Sequence, residues 1–238
     1  MRYEVIYESE DLVALNKPAG LLTIPDRHDS GQPSLLSLLR QRYDQIFVVH
    51  RIDKFTSGLI LFARTAEMHR HLSLAFEARK ILKSYTGIVY GRMPEPEGVI
   101  TAAIAENPAR KGEMLISGKG KPAVTGFTVL ENNPIFSVVS FRPETGRTHQ
   151  IRVHAQYINH PLLCDPLYGD GKPVFLSQFK KRYNKGKSEE EERPLLSRLA
   201  LHASAITFTD NSGKSVHLEA PLPKDMHALI NQIRKNTQ

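Results

Sequence analysis

The stretch that most constrains this chain is Val48-Val49-His50-Arg51-Ile52-Asp53-Lys54-Phe55-Thr56-Ser57-Gly58-Leu59-Ile60-Leu61-Phe62. Two short apolar runs flank a polar turn, which predicts two buried strands joined by a loop. Thr56, Ser57 and Gly58 bend the backbone and satisfy its N–H groups. His50, Arg51 and Asp53 fall within four positions of that turn. The prediction is a carboxylate held on a tight loop between rigid strands, a placement that suits a reactive group. An aspartate in a turn ordinarily hydrogen-bonds its own backbone, so the loop by itself assigns no chemistry.

Before the loop, Tyr3–Tyr7 and Leu12–Leu15 predict two strands around Glu8-Ser9-Glu10-Asp11. Asn16-Lys17-Pro18-Ala19-Gly20 then stops the second strand, because Pro18 lacks an N–H and Gly20 permits positive φ. Lys17, at the tip of this turn, is expected to be exposed, with a phosphate contact as the alternative. No separate RNA-binding module, such as an S4 domain, is expected ahead of this core. Ser34 predicts the N-cap of a helix carrying Leu35, Leu38, Leu39 and Tyr43, and Thr65 the N-cap of a second. The second helix sets Met68, Leu72, Ala75 and Phe76 on one face. Its other face holds His69, Arg70, Arg79 and Lys80, expected to be solvated unless it borders a pocket.

Lys83–Tyr90 predicts a strand with Lys83 and Tyr85 on one face. Further strands are expected at 99–104, 114–116, 124–130 and 136–141. Ser117-Gly118-Lys119-Gly120-Lys121-Pro122 lacks the spacing of a phosphate-binding P-loop. In Glu144–His154, apolar Ile151, Ala155 and Ile158 predict a helix from near Thr148 to Asn159-His160-Pro161. Arg147 and Arg152 would add charge to its N-terminus, an end suited to a phosphate or carboxylate. His149 and His154 stand about 140° apart on a helix, a poor metal pair, and no metal site is expected. Residues 170–195 carry a basic block (Lys180, Lys181, Arg182, Lys185, Lys187) and then Glu189 to Glu192, which predicts a mobile insertion. Two strands (205–209, 216–218) and a last helix with Met226, Leu229, Ile230 and Ile233 on one face close the chain. With no internal repeat and no clear linker, 1–238 is expected to form one catalytic domain.

Charge narrows the partner. Lys and Arg number 32 against 25 Asp and Glu, a formal net charge of +7 and a pI near 9.5. That balance favours a polyanion, nucleic acid above all. The single Cys164 excludes an internal disulfide, and no run is long and apolar enough to cross a membrane, so a cytoplasmic location is expected.

Three stretches together resemble one family. His50-Arg51-Ile52-Asp53 with Thr56-Ser57-Gly58, then Lys83-Ser84-Tyr85, then Gly146-Arg147-Thr148-His149-Gln150-Ile151-Arg152-Val153-His154 look like the RluA-type pseudouridine synthases. Asn16–Gly20, His160-Pro161 through Asp165-Pro166-Leu167-Tyr168-Gly169, and Arg198–Ala203 match in the same order, so the resemblance spans nearly the whole chain. It departs at Ile52, where leucine is usual, and at Cys164, where glycine is common.

The resemblance implies isomerisation of uridine to pseudouridine in structured RNA, ribosomal or transfer, without a cofactor. It implies that Asp53 is the catalytic aspartate and that Tyr85 packs on the target ring and can move a proton. Arg152 would pair with Asp53, with Ile151 supporting the site. Arg51 would enter the RNA stack as the uridine leaves, and His50, Lys83 and Arg147 are expected on the RNA. The fold implied is α+β, a largely antiparallel mixed sheet with flanking helices and a central catalytic cleft. Neither a membrane nor DNA is expected as a partner, and the chain is expected to act as a monomer.

The chemistry agrees with these roles. Moving ribose from N1 to C5 needs a group that attacks sugar or base, or takes a proton, and an ionised carboxylate does either. A nearby arginine favours the charged form. Extruding the base costs roughly a few kcal/mol, of which aromatic stacking offsets ~1–3. The alternative is an RNA-binding or remodelling protein with catalysis lost or incidental. A His/Asp hydrolase fits poorly, lacking a metal cluster or a nucleophile–base pair.

Overall fold

The computed structural model describes residues 3–26, 29, 31–180 and 192–236. In chain order its elements are β1 (Glu4–Glu8), β2 (Leu12–Lys17), α1 (Leu35–Leu39), β3 (Phe47–Val48), β4 (Ser57–Ala63), α2 (Ala66–Glu77), β5 (Leu82–Tyr90), β6 (Glu97–Thr101), β7 (Ile104–Glu106), β8 (Met114–Ile116), β9 (Val124–Asn132), β10 (Phe136–Pro143), α3 (Gln150–Tyr157), β11 (Leu201–Thr209), β12 (Ser215–Glu219) and α4 (Lys224–Asn236). They divide into two compact units, Met1–Tyr85 with His202–Pro221, and Thr86–Leu201 with Leu222–Gln238.

The first unit is centred on β4. All seven of its residues are buried, which is why Leu59–Ala63 is a continuous apolar run rather than an alternating one. Period two still sorts the side chains. Ile60 and Phe62 pack with Val13, Leu15, Leu35 and Leu39 on the α1 side. Leu59, Leu61 and Ala63 pack with Leu12, Ala14, Met68 and Leu72 on the α2 side. Each such Leu, Ile or Phe contributes roughly 1.5–3 kcal/mol when fully buried. β2 and β3 flank β4 antiparallel, with Leu15 opposite Ile60 and Val48 opposite Phe62. β11 runs parallel to β4, with His202 opposite Ser57 and Ala203 opposite Gly58. A Cβ on Gly58 would sit 2.3 Å from the Ala203 carbonyl oxygen, and its φ is +113°, so only glycine fits. Both predicted caps are present: Ser34 accepts from the Ser37 N–H and Thr65 from the Met68 N–H.

In the second unit β10 lies antiparallel to β9, and β9 to β6. Met226, Leu229, Ile230 and Ile233 of α4 enter a core with Ile88, Phe136, Val138 and Leu163. Of the 170–195 stretch, the described ends are built into this core. Val174 and Phe179 are buried, and the Val174 backbone pairs with Leu196. Lys181, Arg182, Lys185, Lys187 and Glu189 to Glu191 lie outside the described residues. Cys164 has φ +56°, a conformation that favours glycine, which accounts for the glycine common there in the family it resembles. The whole is α+β: mostly antiparallel sheet, mixed by the β4–β11 pair, with a few helices packed on it. Among the described residues no helix is long and apolar enough to cross a membrane.

Candidate active site

The loop from Val49 to Thr56 joins β3 to β4, and its carbonyls are tied on both sides of Asp53. Thr23 Oγ1 donates to the Ile52 carbonyl at 2.9 Å. Lys17 Nζ at 3.1 Å and the Gly20 N–H at 2.8 Å both donate to the Lys54 carbonyl. Ile52 itself is buried in the α1-side core. The Asp53 carboxylate, half-buried, is therefore carried on backbone that cannot drift.

Lys17 departs from the sequence expectation. It is 0 % exposed, and Nζ also donates to the carbonyls of Pro18 and Leu21. Lys17 stands opposite Gly58 at the buried end of β2, so its side chain turns inward. An ammonium is tolerated there because carbonyl oxygens replace its water. It holds the loop and cannot reach a phosphate.

His50 stacks on Phe76 with ring centroids 4.7 Å apart, and Nε2 accepts the Leu61 N–H at 3.0 Å. An amide can donate only to an unprotonated nitrogen, so the proton of the neutral ring sits on Nδ1. Burial, aided by the Lys83 charge, lowers its pKa to about 3. Any RNA contact by His50 is thus made by a neutral ring through its Nδ1 edge. A stability prediction follows. The unfolded histidine titrates near 6.5 and the folded one near 3, so the unfolded state binds more protons in between. His50 therefore supports the fold fully above about pH 6.5, and that support declines as pH falls towards 3. His50→Gln, whose Oε1 can accept the same N–H, should show a shallower acid loss in urea melts between pH 6.5 and 4. Equal slopes would refute it.

Lys83 and Tyr85 reach the same region from β5. Burial lowers the Lys83 pKa. Burial first, and the Asp53 charge second, raise that of Tyr85. Tyr85 therefore keeps its phenolic proton at neutral pH beside the carboxylate, with its ring against the α1-side core. Arg51 is exposed.

In the second unit, α3 begins at Gln150, two residues later than expected. His149 adopts φ +53° at the N-cap with no side-chain cap. The buried Gln150 does the fastening instead: Oε1 accepts from Thr145 Oγ1 and the Arg147 N–H, and Nε2 donates to the Val124 carbonyl and Thr125 Oγ1. Ile151 is buried beside it. Arg147 Nε donates to the Pro122 carbonyl.

Arg152 does not add an open charge to the helix end. It is 1 % exposed and lies against Asp165, 0 % exposed, in a fork: Nε to Oδ2 at 2.8 Å and Nη2 to Oδ1 at 2.7 Å. Its guanidinium carbon is 4.9 Å from the Tyr168 ring centroid. Asp165 Oδ1 also accepts the N–H groups of Leu167 and Tyr168, and the Tyr168 hydroxyl meets His149 Nδ1 at 2.8 Å. Asp165, Tyr168, Thr23, Lys17 and Gln150 were given no such roles by the sequence. Asp165-Pro166-Leu167-Tyr168-Gly169 stood out as a motif, but nothing in it names Arg152 as a partner. Among the described residues no three His, Cys, Asp or Glu side chains converge as metal ligands.

With this geometry in hand, similarity decides the family. The profile of the family described as RNA pseudouridylate synthase matches residues 11–157, more than half the chain. The chain belongs to that family. The synthase is 35% identical over 248 residues to the uncharacterized RNA pseudouridine synthase YlyB of Bacillus subtilis, covering 99% of this chain and 74% of that one. It is 35% identical over 242 residues to ribosomal large subunit pseudouridine synthase D of Escherichia coli K12, covering 97% and 70%. Human RNA pseudouridylate synthase domain containing 1 superposes with a TM-score of 0.72 at 28% identity, covering 93% of this chain and 84% of that one. The synthase is accordingly an isomerase acting on RNA uridines, and the reading as a binding protein with lost catalysis is not favoured.

Proposed function

We propose that this synthase converts uridine to pseudouridine in the RNA of the large ribosomal subunit, with Asp53 as the catalytic carboxylate. The observation that carries the proposal is the Asp53 loop, tied at Ile52 and Lys54, with the protonated Tyr85 beside the carboxylate. The ribosomal target is supported by the name of the Escherichia coli relative. In the reaction the C1′–N1 bond breaks, C1′ bonds to C5, C5 loses its proton and N1 gains one. Asp53 attacks the nucleoside or takes the proton, and Tyr85 stacks on the ring with its hydroxyl available.

Arg152 serves as the arginine that supports the chemistry, as the resemblance to the RluA-type motif implies. Asp165 takes Nε and Nη2 and so fixes the direction of the guanidinium. Ile151 backs that arginine. Arg51 fills the space that the uridine leaves, and Lys83 and Arg147 contact phosphates. The two units act as one catalytic domain, as a monomer, in the cytoplasm.

The test is to incubate transcribed large-subunit RNA with the protein and map pseudouridine by carbodiimide primer extension. New stops at defined uridines are expected, and none with either small-subunit or transfer RNA. Modification confined to transfer RNA would overturn the ribosomal target. Affinity should also weaken with salt. Two phosphate contacts, from Lys83 and Arg147, correspond to a loss of about 7- to 12-fold between 50 and 200 mM. A flat salt profile would remove those contacts from the account.

A further inference from the structure

We propose that Phe55 is a stacking platform for a nucleobase flanking the target uridine; this rests on the RNA reading above. The chain has ten phenylalanines, all among the described residues, and Phe55 alone is left exposed, at 44 %. It sits two positions after Asp53 on the same loop. The Lys54 carbonyl before it is tied by Lys17 and Gly20, and Thr56 after it is buried, with its N–H on the Asp53 carbonyl. The ring is therefore held out in water by fixed backbone on both sides and cannot retreat by a local shift.

Its surroundings match single-stranded RNA in chemistry. Lys54 Nζ lies 5.7 Å from the ring centroid and is steadied by Gln32 Oε1 at 3.0 Å. Arg51 is exposed on the same loop. An aromatic face among cations is the usual platform for an unpaired base and its phosphate, because every base has a π-face while the charges answer the backbone. A base next to the extruded uridine loses a stacking neighbour when that uridine leaves, and Phe55 would supply a substitute beside Asp53.

The experiment uses the full chain with Phe55→Ala, Phe55→Leu and Phe55→Trp, a 12-nucleotide oligouridine and transcribed large-subunit RNA. Stacking predicts that Ala and Leu weaken RNA binding about 5- to 100-fold, with KM rising more than kcat falls, while Trp binds as well as Phe. Leu keeps apolar area but has no π-face, so it separates stacking from simple burial. The chain contains no tryptophan, so Phe55→Trp carries the only indole, and its emission should be quenched on adding RNA. Ala or Leu binding within twofold of wild type, or unchanged Trp emission at saturating RNA, overturns the proposal. Wild type that binds RNA but converts no uridine defeats the catalytic reading and not the stack. Wild type that binds neither RNA defeats both.

Discussion

Asp53→Asn should make no detectable pseudouridine while binding RNA within a few-fold of wild type. Asparagine matches aspartate in size, and the loop ties are backbone carbonyls of Ile52 and Lys54, which the substitution leaves in place. Only the charge and basicity of residue 53 are lost. If the carboxylate merely moves a proton, the rate falls roughly 10²- to 10⁴-fold; if it attacks the nucleoside, turnover ceases. Single-turnover assays at saturating RNA, with a filter-binding Kd alongside, separate chemistry from binding. Turnover within tenfold of wild type would show that another group does the chemistry. Without the Asp53 charge the Tyr85 hydroxyl should also become more acidic, since that charge is one cause of its raised pKa.

The second large effect is expected at a residue that touches no RNA in this account. Asp165→Ala strips the buried Arg152 of the two charge-assisted bonds of its fork. Breaking such a pair from one side costs about 3–5 kcal/mol, or roughly 6–20 °C in Tm for a chain of this size. Two N–H groups, of Leu167 and Tyr168, lose their acceptor as well. Activity should fall even at 15 °C, where the variant remains folded, because Arg152 is no longer aimed. The double variant Arg152→Met, Asp165→Leu removes both charges and should regain much of the Tm without regaining turnover. A Tm for Asp165→Ala within 2 °C of wild type would refute the structural role. Turnover restored in the double variant would refute the catalytic role given to Arg152.

Much of the fold was legible because it is local. The apolar runs around the Asp53 loop, the Ser34 and Thr65 caps and the α4 face are set by spacing along a few turns or a few strand residues. Local periodicity survives folding intact, since the same residues that define it are the ones buried. The α3 boundary was less legible: His149 enters a left-handed conformation, and Gln150 does the fastening that a capping side chain would otherwise do.

The sequence by itself determined the family, the hairpin that carries Asp53, the apolar faces of α2 and α4 and the excess of positive charge; Tyr43, Arg79 and Lys80, expected on helices, lie beyond the ends of α1 and α2. The tertiary structure alone decided that Lys17 is buried, that His50 is neutral with Nδ1 protonated, and that Arg152 is forked by Asp165. The reason is physical. Strand and helix preferences depend on neighbours within a few residues, whereas the partner of a buried charge depends on which distant backbone or side chain is folded against it. Lys17 meets a carbonyl 37 positions away and Arg152 a carboxylate 13 away. No periodicity in the chain encodes either meeting.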